Sequence, residues 1–263
     1  MAQSTAYFDD GLAYERFMGR WSRAAGAVFL DWLAPIEGAR WLDVGCGTGA
    51  FTQLILDTCA PSVVVAIDPT PAQIDHARLR TAAQQAEFQL ADAQSLPFPD
   101  GAFDIVVSAL VINFIPDRAL ALRHMRRVAR ADGVVAGYVW DYALESSPTS
   151  FMRIGLRQLG VEPPASPGTE ASTLAALHML FEQAGMKEIA TRTIDIEMRF
   201  PSFDDLWQVK LPASNPISRV VASLSDGDRS RLIDQVRTIL PARPDGSVSY
   251  SARANAIKAR VPA

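Results

Sequence analysis

The sequence predicts an α/β protein whose mostly parallel sheet is covered by helices on both faces, and three observations carry that prediction. Short β-rich runs of four to seven residues alternate with helical patterns through the first half of the chain. The first such run stops abruptly at Gly45, Gly47 and Gly49, which lead into a helical pattern. With 263 residues, 49% of them hydrophobic, the chain is large enough and apolar enough to bury both faces of a sheet.

A helical region over about Leu12 to Leu33 opens the chain. Strand candidates follow at Arg40 to Val44, Val63 to Ile67, Glu87 to Leu90, Phe103 to Ser108 and Gly133 to Val139, with helical patterns at Phe51 to Thr58, Pro71 to Gln84 and Arg118 to Ala129 between them. Alternation of this kind implies right-handed βαβ crossovers and a Rossmann-like sheet. Glu188 to Met198 and Val248 to Val261 read as two longer strands, separated by helical material over Phe203 to Leu240.

The glycine loop is a nucleotide-type signal, because glycines admit a close ligand and the start of a helix offers unpaired amides. Its spacing is not the dinucleotide pattern: the third glycine comes two residues after the second, and Asp43 sits two before the first. No Lys-Ser/Thr pair follows, so a P-loop also fails. A carboxylate beside the loop repels a pyrophosphate and suits an ammonium group, which S-adenosylmethionine carries. Asp68 ends the second strand candidate, followed by Pro69, 23 residues beyond Gly45, where an acid accepts from ribose hydroxyls.

At these residues the chain resembles the class I S-adenosylmethionine-dependent methyltransferases, whose motif I places an acid before G-x-G-x-G. The resemblance implies that Asp43, Gly45, Cys46, Gly47, Asp68 and Pro69 hold the cofactor. It also implies that Asp92 takes the adenine amine and Ala93 the ring nitrogen, from Leu90-Ala91-Asp92-Ala93-Gln94. The segment from Ala102 to Ala109 resembles motif IV, so Asp104 begins a strand that ends beside the methionine portion, with Ser108 and Ala109 offering backbone oxygens and Leu110 to Phe114 lining the transfer site. Agreement is good over roughly Arg40 to Tyr142 and looser beyond. The nearest branch is the ubiquinone/menaquinone-methyltransferase-like one that acts on small molecules. The fold implied has seven strands, the last antiparallel between the fifth and sixth. The whole chain, 1–263, is then one domain, with a core of about 36–142 and 171–200 with 245–263, and helical cover at about 4–35, 143–170 and 201–244.

The expected reaction is methyl transfer to a small or medium-sized acceptor, with its O, N or C nucleophile open. Asn113 and Asp141, following the fourth and fifth strands, are the catalytic candidates: one to orient an acceptor, the other to take a proton. Turn formation explains them equally well. Tyr14, Met18, Trp21 and Arg23 are candidates to close over the cofactor, with Arg23 as a partner for its carboxylate, and ordinary packing explains them at least equally well. Phe114, Trp140, Phe151 and Trp207 suggest an aromatic or lipophilic acceptor. An NAD(P)-dependent oxidoreductase, or a protein that binds S-adenosylmethionine without catalysis, are the rival readings.

Several classes are disfavoured. A net charge of −4 argues against a polyanion-binding surface, and Arg123, Arg126, Arg127 and Arg130 read as the solvated side of a helix. His76, His124 and His178 have no metal-ligand spacing, and no metal is expected. The two cysteines, Cys46 and Cys59, form no disulfide framework, the N-terminus has no signal-peptide pattern and no window is apolar enough to span a membrane, so a cytoplasmic location is expected.

Overall fold

A computed structural model describes residues 11–79, 85–208 and 215–263, with side chains from residue 18 onward. After helix α1 (Gly11–Leu33) come β1 (Arg40–Val44), α2 (Ala50–Thr58), β2 (Val63–Asp68), α3 (Pro71–Arg78), β3 (Glu87–Leu90), β4 (Phe103–Ala109), α4 (Arg118–Val128) and β5 (Ala129–Trp140). The second half holds α5 (Ser150–Gln158), α6 (Leu174–Gln183), β6 (Lys187–Phe200), α7 (Phe203–Gln208), α8 (Pro216–Ser223), α9 (Asp226–Ile239) and β7 (Val248–Arg260). Among the described residues no helix is long and apolar enough to cross a membrane.

One seven-stranded sheet runs β3-β2-β1-β4-β5-β7-β6. Strands β1 to β5 pair in parallel, and β7 pairs antiparallel with both β5 and β6, the arrangement expected. Successive side chains of each strand enter different cores, as a pleat requires. Trp41, Ile105, Val107, Tyr138 and Trp140 face α1 and α2, whereas Leu42, Val106, Val135 and Val139 lie with Leu122 and Met125 of α4 and Leu177 and Phe181 of α6.

Two helical boundaries differ from the sequence reading. Helix α3 ends at Arg78, and the remainder of its expected range, residues 80–84, lies outside the described residues. Among the described residues, the material between β6 and β7 is three helices. Asn215 starts α8 by accepting from the Ile217 amide, with Pro216 at the first helical position, and Ser225 starts α9 by accepting from the Asp228 amide.

Helix α1 is a core element. Phe29 packs at 4.8 Å on Tyr138 and 6.0 Å on Phe51, and Trp21 lies 4.8 Å from Tyr250 and edge-on to Trp140 at 6.5 Å. Close approach is possible because residue 26 is glycine: a Cβ there would lie 2.9 Å from Leu54 Cδ2. Phe29→Ala should therefore cost about 3–5 kcal/mol in a urea denaturation measurement, as for a buried aromatic in any sheet–helix interface. A loss under 1 kcal/mol would show that α1 is dispensable to the core.

Candidate functional site

The C-terminal ends of the parallel strands meet at one edge. Register places Asp43 level with Ala66 of β2 and Val107 of β4, and Asp68 level with Leu90 of β3. The glycine loop, Asp68, Asp92 and Ser108 therefore share that edge, where open α/β sheets bind ligands.

The loop is tied to β2. The amides of Gly45 and Cys46 both donate to the Ile67 carbonyl at 2.8 Å, Gly47 N donates to Asp68 Oδ2 at 3.0 Å, and Gly49 N donates to the Cys46 carbonyl at 2.9 Å. These four loop amides have protein partners; the expected donors, at the start of α2, are other amides. The glycines also divide their work. A Cβ at Gly45 would lie 2.5 Å from Val111 Cγ1, and one at Gly49 would lie 3.1 Å from the Phe88 ring, so both serve packing. Only ahead of Gly47 is there open space, the nearest atom being Gln73 Oε1 at 4.0 Å. All three have positive φ, which favours glycine.

Two acids lie beneath this loop. Asp43 is fully buried, Thr52 Oγ1 donates to its Oδ2 at 2.7 Å, and its Oδ1 has no hydrogen-bond partner. Burial pushes its carboxyl up to about 7, against the opposing Thr52 hydrogen bond and with a further rise from Asp68. Asp68 is also raised by burial, though amide donation from Thr70 and Gly47 holds it down. Thr52 was not anticipated. Its signal was present, a polar residue on the buried face of α2 beside Phe51, Leu54 and Ile55.

The other expected residues divide into those at the edge and those elsewhere. Asp92 is exposed and accepts from Gln94 N at 2.8 Å, Ala93 is buried in the turn it starts, and Pro69 is exposed beside Asp68. Ser108 is buried with an unpartnered Oγ, and Ala109 ends β4. Cys46 contributes no reactive thiol, because burial, then Asp43 and Asp68, hold its pKa well above normal. Asp104 sits at the start of β4, at the far edge, where it accepts from Arg40 N at 2.8 Å and Arg130 Nε at 2.5 Å.

Asn113 and Asp141 are both buried behind the ends of β4 and β5. Asp141 Oδ1 accepts from Leu144 N at 2.9 Å, a turn-forming bond. Asn113 Nδ2 donates to the Pro167 carbonyl at 3.2 Å, and its Oδ1 is unpartnered. Ser172, which sequence reasoning missed, joins this region: its Oγ accepts from the amides of Tyr142 and Ala143 and donates to the Thr169 carbonyl, while Asn255 Nδ2 donates to the Ser172 carbonyl.

Four expectations are corrected. Arg23 is exposed and pairs with Asp57 near the end of α2, away from the loop at that helix's start, so it is not at the cofactor edge. Met18 and Trp21 belong to the α1 core, and the Tyr14 side chain lies outside the described residues. Three of the four aromatics pack into one core cluster instead of lining a surface, Trp140 and Phe151 meeting through Trp21 and Tyr250 and Trp207 stacking on Phe203, while Phe114 lies edge-on to Tyr142. The arginines of α4 and its end are not simply solvated, since Arg126 donates to the Ala184 carbonyl, Arg127 to those of Leu96 and Phe98, and Arg130 to Asp104. Among the described residues, no cluster of His, Cys, Asp and Glu has the arrangement of a metal site.

Residues 42–137 match the family model described as a methyltransferase domain. A malonyl-[acyl-carrier protein] O-methyltransferase of Serratia marcescens is 35% identical over 129 residues, 47% of this chain and 49% of that protein. A demethylmenaquinone methyltransferase of Roseiflexus castenholzii is 36% identical over 103 residues, 39% of this chain and 43% of that protein. The chain thus spans about half the length, or less, of these relatives in the matched region. Among solved structures, the YcgJ protein of Bacillus subtilis is similar with a TM-score of 0.58 at 18% identity, covering 91% of this chain and 98% of that one. A phosphoethanolamine N-methyltransferase 2 of Haemonchus contortus gives 0.61 at 18% identity over 98% and 58%. At such identities the likeness is one of fold.

The folded pKa of Asp43 lies above that of an unfolded aspartate, so the folded state holds more protons between about pH 4 and 7. The sign follows: stability falls as pH rises through that window and levels off above it, by roughly 4 kcal/mol in full. Asp43→Asn, which cannot ionise, should flatten the slope, gaining about 2–4 kcal/mol relative to wild type on going from pH 5 to pH 8. Denaturant titrations at the two pH values measure this, and identical slopes would contradict it.

Proposed function

We propose, from the premise that the core of this chain is a class I methyltransferase domain, that it transfers a methyl group from S-adenosylmethionine to a small or medium-sized acceptor. The observation that carries this reading is the pair Asp43 and Asp68 under a loop whose amides at Gly45, Cys46, Gly47 and Gly49 are bonded within the protein. Such a loop has little to offer a pyrophosphate. The open space ahead of Gly47 and the Asp68 carboxylate at the end of β2 fit a ribose and the adjoining amino-acid portion.

When bound, the cofactor supplies a methyl group on a positively charged sulfur, so little further activation is needed. The chain's contribution is placement and exclusion of water. Asp68 offers a carboxylate to ribose hydroxyls, Asp92 and the Ala93 amide lie at the end of β3 for the adenine edge, and the Ser108 and Ala109 carbonyls end β4 for the ammonium. Asn113 orients the acceptor. Asp141 acts mainly as a turn former, since its Oδ1 is engaged by Leu144 N.

An uncharged acceptor with an aromatic or lipophilic body fits best. Leu144 is 67% exposed beside the ends of β4 and β5, with the Phe114–Tyr142 pair nearby. The cations of this region are committed: Arg118 to Glu170, and Arg153 and Arg157 to Glu145. We read the chain as one domain, because a single apolar cluster joins α1, α5, α7, α8 and α9 to β5, β6 and β7. A reducing, cytoplasmic setting accords with two free, buried cysteines.

Calorimetric titration tests the donor. S-adenosylmethionine should bind at micromolar strength, roughly −8 kcal/mol, and Asp68→Ala should weaken it at least tenfold; tight NADH binding without S-adenosylmethionine binding would sink the reading in favour of an oxidoreductase. Methyl-labelled cofactor incubated with cell extract then separates an enzyme, which labels an acceptor, from a silent binding protein. On the acceptor so found, Asp141→Asn should keep its rate within about threefold, because asparagine forms the same turn. A loss of a hundredfold or more would instead identify Asp141 as a base.

A further inference from the structure

At the edge of the sheet opposite the glycine loop, the end of α4 borders a cavity of about 580 Å³. Arg123, Arg126 and Arg127 form one wall, and spacings of three and four residues on a helix are what bring them to one face. The start of β5 and Val261, beyond the end of β7, supply an apolar part. Among the described residues, Asp100 is the one carboxylate that lines it.

Arginines at a helix end have an ordinary explanation, since the C-terminus of a helix carries about half a negative charge. Here the charges do not balance. That half charge and Asp100 together offset roughly one and a half of three guanidinium charges. Arg127 is the compensated one: it donates to Asp100 Oδ1 at 2.8 Å, and to the carbonyls of Phe98 at 2.7 Å and Leu96 at 2.8 Å. Arg126 has a neutral partner, the Ala184 carbonyl at 3.1 Å, and reaches it because residue 185 is glycine, where a Cβ would fall 2.7 Å from Arg126 Nη1. Among the described residues, the ion pairs made by arginines of α4 are Arg118 to Glu170 and Arg127 to Asp100, so Arg123 and Arg126 keep uncompensated charge. His124 registers the excess: burial, then Arg127 and Arg123, hold its pKa below the usual range.

We propose that this cavity binds the phosphate group of a small phosphate monoester, with Arg123 and Arg126 contacting the phosphate and the apolar part facing the organic body. Two guanidinium forks match a dianion with three acceptor oxygens, whereas a carboxylate brings one charge and fills one fork. Arg126 is already held by α6, so little of its side-chain freedom is lost on binding, and the exposed Arg123 closes on the ligand from the other side. The volume lies within the range of small-molecule sites and exceeds the needs of a bare ion. Because the cavity and the glycine loop are at opposite edges of the sheet, a ligand in one leaves the other open, and the site stands independently of the methyl-transfer reading.

Calorimetric titration of phenyl phosphate, inorganic phosphate and phenol into the full chain, at about pH 7.5 where a phosphate monoester is a dianion, tests the site. Phenyl phosphate should bind saturably at one per chain and at least about tenfold more tightly than inorganic phosphate, with phenol undetected. Arg123→Gln, at an exposed position, should weaken it at least about fivefold, and Arg126→Gln by more. Should the Arg126 variant not fold, Arg123→Glu must abolish binding. Arg192→Gln removes an exposed charge on β6 and should leave the affinity within about twofold, as should saturating S-adenosylhomocysteine. Absence of saturable binding, an equal loss in the Arg192 and Arg123 variants, or displacement by S-adenosylhomocysteine overturns the site. Inorganic phosphate binding as tightly as the ester overturns the monoester as its ligand.

Discussion

The site depends on one carbonyl, that of Ile67, which receives the amides of both Gly45 and Cys46. Ile67 lies in the last turn of β2's pleat, so the loop leaving β1 is fastened to the neighbouring strand before it can reach solvent. The next residue, Asp68, then meets the next amide, Gly47. Three successive amides are thereby spent on two successive residues of β2. The position of Asp68 follows from this, as does the depth of Asp43, which the loop seals from above. A loop held in this way presents buried carboxylates where a phosphate-binding loop presents free N–H groups.

The second constraint is mechanical and comes from α1. A helix that lays Trp21 and Phe29 against β5 and β7 belongs to the sheet's core, and its aromatic contacts extend through Tyr250 to Phe151 of α5 and Phe200 of β6. The helical cover is thus coupled to the sheet through one aromatic group. At the opposite margin, β6 is an edge strand of fourteen residues. Its solvent face carries Glu188, Asp195, Glu197 and Arg199, each paired with an opposite charge from β7 or the turn before it. Such exposed pairs contribute little stability apiece, but a charged edge resists pairing with another strand.

Much of this was legible because parallel strands buried on both faces read as unbroken apolar runs. Asp43 and Asp68 could be placed for the same reason, since each is where such a run meets its loop. The start of β5 was hidden by Arg130 and Asp132, polar residues around a register shift opposite Phe103 and Ile105. The breaks between α7, α8 and α9 had signals in Asn215-Pro216 and in Ser225 three residues before Asp228, which a reading by apolar pattern alone passes over. Ser172 and Asn255 carried no local signal at all. Their bond spans 83 positions, and nothing in either neighbourhood marks a partner that topology alone brings together.

The two halves of the site are joined by three residues. Leu110 leaves β4 with φ at +64°, a conformation that costs a branched side chain about 1–3 kcal/mol. It is held there by a 2.7 Å bond from its amide to the Tyr138 carbonyl. The turn so produced sets Val111 against Gly45, closer than any Cβ at that glycine would allow, and one residue beyond Ile112 it brings Asn113 to the Pro167 carbonyl. The conformation of Leu110 therefore fixes, through one short segment, both the neighbour of the glycine loop and the contact with the connection from α5 to α6.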